Sequence, residues 1–108
     1  ETIDGTGVRD YIHVSDLARA HLAALHLIST QQSTTLNLGS EKQYSVMEVI
    51  RSAEKITGKQ IPYEIVDRKE GDPDKIYAST EKTRNLLKWS AEASELDNII
   101  ETTWRIYK

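Results

Sequence analysis

Residues 8–28 read VRDYIHVSDLARAHLAALHLI, and the change of pattern within this stretch decides the fold class. Residues 8–14 are rich in β-branched and aromatic side chains, which favours a short strand. Ser15 suits a helix N-cap, and from residue 17 to residue 28 apolar side chains recur at helical spacing. A strand followed directly by an amphipathic helix predicts a mixed fold of strands and helices.

The rest of the chain continues this alternation. Ser45 and Glu48 match a capping box that opens a second helix, and Gly58 supplies its left-handed end. Two further strands are predicted at 35–38 and 61–66, and a short extended piece at 76–78. A brief helix is predicted from 79 or 80 to about 87, and a last helix is opened by Ser94. The prediction is an α/β (α+β-like) fold in which three short strands alternate with about four helices.

Composition limits the classes of function. The 108 residues suffice for a single domain, 1–108, and 38% of them are hydrophobic. The absence of cysteine excludes disulfides and thiolate metal sites. A net charge of −3 argues against nucleic acid as a partner. No apolar run is long enough for a membrane span and no secretion signal is evident, so we expect a cytoplasmic protein with no membrane partner.

Catalytic, cofactor and metal sites are not predicted from the residues themselves. No serine lies in a Gly-x-Ser-x-Gly elbow, and the glycines never form the dinucleotide pattern G-x-G-x-x-G. His21 and His26 are five positions apart, so on a helix they diverge by about 140° and do not share a metal. We expect His13 and His21 to be structural.

Two loops combine basic and acidic residues. Arg9-Asp10-Tyr11 follows a glycine turn, and Arg68-Lys69-Glu70-Gly71-Asp72 follows the predicted third strand. An arginine fork suits bidentate contact with phosphate, and an aspartate accepts hydrogen bonds from ribose hydroxyls. Each loop is therefore a candidate anion site, and a solvated charged loop is the alternative.

At these residues the sequence resembles a known family. The run DGTGVRDYIHVSDLA, residues 4–18, is similar to the C-terminal part of the UDP-glucose 4-epimerases, which are extended short-chain dehydrogenases/reductases. The resemblance continues in order through residues 37–39 (NLG), 45–46 (SV) and 70–73 (EGDP), and it covers essentially all 108 residues.

The resemblance implies a small C-terminal domain that binds the UDP moiety, while a Rossmann domain absent from this sequence holds NAD. Carried over by position, Arg9 contacts the diphosphate, Tyr11 lies near it, Val46 lines the nucleotide pocket and Asp72 accepts hydrogen bonds from the ribose. The parent enzyme would interconvert UDP-glucose and UDP-galactose through a 4-keto intermediate, and it is often a homodimer.

The family's second diphosphate arginine falls on the second loop. This sequence has Lys69 at that position and Arg68 one position earlier, so both are candidate substrate-binding residues. Lysine keeps the charge of arginine but lacks its fork.

The family's catalytic pair is a tyrosine with a lysine four residues later, and no tyrosine of this sequence has one. We therefore expect this chain alone to bind no NAD and to be inactive.

Alternatives stay open at this point. The same portion of a nucleotide-sugar dehydratase, decarboxylase or acetamido-sugar epimerase would carry similar motifs, and a stand-alone binding domain is a further alternative. If a Rossmann domain normally packs on this chain, the chain alone should expose an apolar surface.

Overall fold

A computed structural model describes residues 4–30 and 33–107, and it places four helices around a minimal sheet. The elements in chain order are β1 (Val8–Arg9), α1 (Val14–Thr30), β2 (Tyr44–Ser45), α2 (Val46–Thr57), α3 (Glu81–Leu87) and α4 (Leu96–Tyr107). Strands β1 and β2 pair antiparallel, with Val8 opposite Ser45. Helix α2 packs on α4 and α1 packs on α3. The predicted small α/β class with four helices is confirmed.

Strand β1 binds the start of α2 and the segment around Asp74, both of which are distant from it in sequence. The Val8 N–H donates to the Asp74 carbonyl at 2.8 Å, and the Val8 carbonyl accepts from the Ile76 N–H at 2.9 Å. One residue earlier, the Gly7 carbonyl accepts from the Val46 N–H at 2.9 Å. The backbone of this short strand therefore holds the start of α2 and the segment around Asp74 side by side.

The buried carboxylate of Asp16 ties helix α1 to the segment before α4. Its oxygens accept from the backbone N–H groups of Glu92 and Ala93 at 3.0 and 2.9 Å, from the Ser94 hydroxyl at 2.5 Å and from Arg19 at 2.8 Å. Burial alone would raise the pKa of Asp16, but these hydrogen bonds outweigh it and lower the pKa to about 2.

Trp89 packs against the same corner. Its indole is 4% exposed, and its Nε1–H donates to the Asp16 carbonyl at 3.1 Å. The ring thus satisfies its one polar group while filling the space between α1 and α3.

A second carboxylate, that of Asp10, organises the loops next to β1. It accepts from the Ser40 N–H and hydroxyl at 2.8 and 2.7 Å, and from the Ala78 N–H at 3.3 Å. Gly39 is required beside it, because a Cβ at this position would lie 2.4 Å from Asp10 Oδ2. Two separate segments are therefore closed onto one aspartate.

The strand predictions were only partly right. Of the predicted strand at 8–14 only Val8–Arg9 pairs, and within the described residues 35–38 and 61–66 form no strand. Strand β2 was not predicted. Residues 62–66 have the β-branched and aromatic composition of a strand but make no backbone hydrogen bond to another described residue, and composition alone does not supply a partner.

The predicted helix boundaries hold best where local capping decides them. Helix α2 begins after Ser45 with the capping box formed, and Gly58 ends it at φ +71°. Helix α1 begins earlier than predicted, at Val14, so Ser15 lies inside its first turn rather than at its N-cap. Instead, His13 Nδ1 accepts from the Ser15 N–H at 3.0 Å.

The molecule exposes more surface than its mass requires. Its accessible surface is 7988 Å², about 30% above the roughly 6,100 Å² of a folded monomer of this size. Its radius of gyration is 16.5 Å against the roughly 13 Å of a 100-residue domain. Much of the excess is apolar, at Leu22, Leu25 and Ile28 on α1 and at Ile65 and Val66. No helix in the described parts of the chain is long and apolar enough to span a membrane.

Candidate functional site

A cleft of about 820 Å³ lies beside the strand pair. One wall is the glycine turn 5–7 and the first turns of α2, where Val46, Met47 and Ile50 face the space. The opposite wall is the segment 63–69 together with the turn 72–74. This volume is within the range of small-molecule sites, and the walls mix apolar side chains with charged ones.

Four of the six predicted substrate-binding residues line this cleft, namely Val46, Arg68, Lys69 and Asp72. Arg9 reaches its edge through Asp72. Tyr11 is half-buried and is not among the lining residues. The structure thus brings the two candidate loops together, although they are about sixty residues apart in sequence.

Arg9 is held in place by its own strand and by the turn opposite. Its Nη2 donates to Asp72 Oδ1 at 2.9 Å, and its Nη1 donates to the carbonyls of Val8 at 2.9 Å and Asp74 at 3.4 Å. The folded-back guanidinium lies against Gly7, where a Cβ would come within 3.0 Å of Nη1. The cation of Arg9 is therefore paired with an aspartate of the protein itself.

The second loop is closed by Arg68. Its Nε and Nη2 donate to the Asp72 carbonyl at 3.1 and 2.7 Å, and its Nη1 pairs with Asp74 Oδ1 at 2.7 Å. The Asp72 N–H donates to the Lys69 carbonyl at 3.1 Å, and Gly71 adopts φ +82° in this turn. The Lys69 side chain has no partner among the described residues.

The N-terminus of α2, although it borders the cleft, is not free to bind an anion. The N–H groups of Val46, Met47 and Glu48 donate to the Gly7 carbonyl, the Thr6 hydroxyl and the Ser45 hydroxyl. The first N–H groups of a helix are its usual anion donors, and here they are already satisfied.

Asp4 supports this arrangement. Hydrogen bonds from the Ser45 hydroxyl and from the hydroxyl and N–H of Thr6 lower the pKa of Asp4 to about 2. Because the first N–H groups of α2 are already hydrogen-bonded, the positive charge for an anion in this cleft must come from side chains.

The histidines play local roles in the described structure. The backbone N–H of Ser15 can only donate, so His13 Nδ1 is the acceptor of this hydrogen bond and the ring proton is on Nε2. Nε2 lies 2.8 Å from Thr102 Oγ1. His21 is exposed and hydrogen-bonds the Leu17 carbonyl within its own helix. No group of three potential metal ligands occurs among residues 4–30 and 33–107.

Sequence reasoning missed two participants in this site. Asp74 provides both a carbonyl for Arg9 and a carboxylate for Arg68. Gly7 provides the room for the Arg9 guanidinium. A pattern signal existed for Asp74, because it alternates with Asp72 around Pro73, but its partner Arg9 lies 65 residues away in sequence and could not be identified from that pattern.

Comparison with known proteins places this geometry in context. A profile of the NAD dependent epimerase/dehydratase family matches residues 2–39. The chain is 43% identical to the UDP-glucose 4-epimerase of Lactobacillus helveticus and 46% identical to that of Homo sapiens, covering all of this chain but 33% and 31% of those proteins.

A solved structure agrees with the sequence relatives. The crystal structure of UDP-glucose 4-epimerase from Bifidobacterium longum in complex with NAD+ and UDP superimposes with a TM-score of 0.86 at 42% identity, covering 100% of this chain and 32% of that one. The resemblance to the C-terminal portion of the UDP-glucose 4-epimerases is therefore confirmed over the full length of this chain, which spans about a third of the length of those relatives.

Proposed function

We propose that this chain is the single UDP-binding domain, residues 1–108, of a UDP-glucose 4-epimerase. The observation that carries the proposal is the convergence of Arg9, Lys69 and Asp72 on one cleft whose opposite wall holds Val46. The similarity to an enzyme whose structure contains NAD+ and UDP supports the choice of ligand. The whole enzyme would interconvert UDP-glucose and UDP-galactose, using NAD that another part of the polypeptide holds.

The charges suit a nucleoside diphosphate. Lys69 lines the cleft and has no partner among the described residues. Arg9, whose side chain is 26% exposed, reaches the edge of the same cleft through Asp72, so together they offer the diphosphate two cations. Arg9 would have to exchange the carboxylate of Asp72 for the diphosphate, whose oxygens can likewise accept two hydrogen bonds from one guanidinium. Asp72 would then be released toward the ribose hydroxyls. Tyr11 stays a proposed neighbour of the diphosphate on the strength of the resemblance alone.

Hydride transfer needs a nicotinamide held against the sugar, together with a base, and neither is assigned to a residue of this chain. We therefore propose that the 108-residue chain alone does not turn over substrate. The extensive exposed apolar surface fits a domain that packs against the remainder of such an enzyme, because isolated monomers rarely expose so much.

The test is an assay of the full polypeptide that contains this sequence, with NAD bound and UDP-galactose as substrate. Formation of UDP-glucose is the expected result. Arg9→Gln should raise the KM for UDP-galactose about tenfold or more, since a charge-assisted contact is lost. Arg105→Gln is the matched control, because in the described part of the chain Arg105 pairs with Glu101 alone, on α4, and does not line the cleft.

Two results would contradict the proposal. If UDP-galactose is not converted while another nucleotide sugar is, the chain belongs to one of the other nucleotide-sugar enzymes. If Arg9→Gln and Arg105→Gln behave alike, the cleft described above is not the UDP site.

A further inference from the structure

The side chain of Arg68 is committed to the protein rather than to the cleft. All three guanidinium nitrogens are engaged within six residues, two with the Asp72 carbonyl and one with the Asp74 carboxylate. Lys69, the next residue, lines the same cleft and has no partner in the described part of the chain. Two neighbouring cations thus have different surroundings.

Asp72 is held at two points by two arginines. Arg9 binds its carboxylate and Arg68 binds its backbone carbonyl. In the proposed function Arg9 leaves the Asp72 carboxylate when a diphosphate arrives. Within residues 4–30 and 33–107, the contacts of Arg68 and the turn hydrogen bond from the Asp72 N–H to the Lys69 carbonyl then remain to fix the Asp72 backbone.

We infer that Arg68 is a positioning residue for Asp72, and that Lys69 alone supplies the second cation for the diphosphate. This inference rests on the proposed function. Arg68 keeps the turn 69–72 closed after Arg9 has moved, so that the Asp72 carboxylate stays aimed at the ribose. Its effect on affinity therefore passes through the ribose contact and not through the phosphates.

Lysine cannot replace arginine in this role. The planar fork of Arg68 spans a carbonyl and a carboxylate at once, whereas a lysine ammonium is a single point on a flexible stem. A positive charge at position 68 is thus not enough to hold the Asp72 backbone, although it would be enough for a direct contact with a phosphate. The variant Arg68→Lys therefore separates the two roles.

The experiment measures the affinities of UDP and of uridine for the full polypeptide with NAD bound, the uridine affinity by displacement. Arg68→Gln should weaken both ligands by the same factor, about fivefold, the effect of one mispositioned charge-assisted hydrogen bond. Arg68→Lys should lower the affinities for UDP and uridine by the same factor as Arg68→Gln. Lys69→Gln should weaken UDP and leave uridine unchanged.

A double variant completes the test. With Asp72→Asn in place, the ribose carboxylate is already gone, so adding Arg68→Gln should change the affinity for UDP less than twofold. Circular dichroism of each variant verifies that the fold is kept, and the Arg68→Lys variant stays informative if Arg68→Gln does not fold.

The outcomes distinguish this inference from the proposed function. A loss confined to UDP, full rescue by Arg68→Lys, or an undiminished loss in the Asp72→Asn background would overturn the positioning role while leaving the UDP site intact. Failure of the unmodified protein to bind UDP, or no effect of Arg9→Gln, would overturn the proposed function and the inference with it.

Discussion

Replacing Asp16 with asparagine should loosen the corner where helix α1 meets the segment before α4. The carboxylate is fully buried and accepts from four donors, namely Arg19, the two backbone N–H groups of Glu92 and Ala93, and the Ser94 hydroxyl. An asparagine of the same shape keeps one acceptor oxygen but turns an NH₂ group toward the donors. Arg19 also donates to the Ser90 carbonyl at 2.9 Å, whereas the Glu92 and Ala93 N–H groups and the Ser94 hydroxyl have no other acceptor among the described residues.

The magnitude follows from the groups left unpaired. Each buried donor without an acceptor costs about 1–3 kcal/mol, and a hydrogen bond to a charged group contributes about 1.5–3 kcal/mol. Because side chains readjust, we expect a loss of about 3 kcal/mol, which is roughly a hundredfold change in an opening equilibrium.

Amide hydrogen exchange of the full polypeptide measures the opening of this corner directly. The amides of Glu92 and Ala93 should exchange roughly a hundredfold faster in Asp16→Asn. Asp67→Asn is the matched control, because Asp67 is exposed and makes no contact among the described residues, and it should leave these amides unchanged. A change of less than about threefold in Asp16→Asn would refute the reasoning that this carboxylate organises the corner.

Three further predictions concern acid, packing and capping. The pKa values of Asp16 and Asp4 are about 2 against an ordinary 3.8, so the two carboxylates contribute fully to stability above about pH 4 and lose this contribution as the pH falls toward 2. Acid titration followed by circular dichroism should show this loss of stability. A stability that is constant down to pH 2 would contradict the prediction. Gly39→Ala forces a Cβ to within 2.4 Å of Asp10 Oδ2 and should cost about 1–3 kcal/mol, visible as a lower thermal midpoint, whereas an unchanged midpoint would mean that the loops shift freely. Ser45→Ala removes the cap of α2 and should cost about 1–2 kcal/mol, with faster exchange of the Glu48 amide, while Ser45→Thr should retain most of the protection.

Local chemistry made part of the fold predictable. The capping box at Ser45 and Glu48 and the left-handed Gly58 depend on residues within a few positions of one another, and the structure contains both as predicted. Features that depend on residues within one turn of the chain can be predicted without knowledge of the tertiary structure.

Pairing across distance was not predictable in the same way. The segment 61–66 has the composition of a strand, yet a strand exists only when another strand supplies its hydrogen bonds. The partnership of Arg9 with Asp72 spans 63 residues, and nothing near either residue specifies the other. Sequence reasoning therefore identified both loops of the candidate site as separate features, while their meeting emerged only from the three-dimensional structure.

The meeting of two distant segments on β1 also sets an order of events during synthesis. Helices form within microseconds of becoming available, so α1 and α2 can fold soon after they leave the ribosome. The 63 residues between Arg9 and Asp72 take about 3 to 13 s to add at about 5–20 residues per second. Throughout that interval β1 lacks the neighbour around Asp74, and the Arg9 guanidinium has no carboxylate to bind. The cleft is consequently assembled late, after helices α1 and α2 have been synthesised.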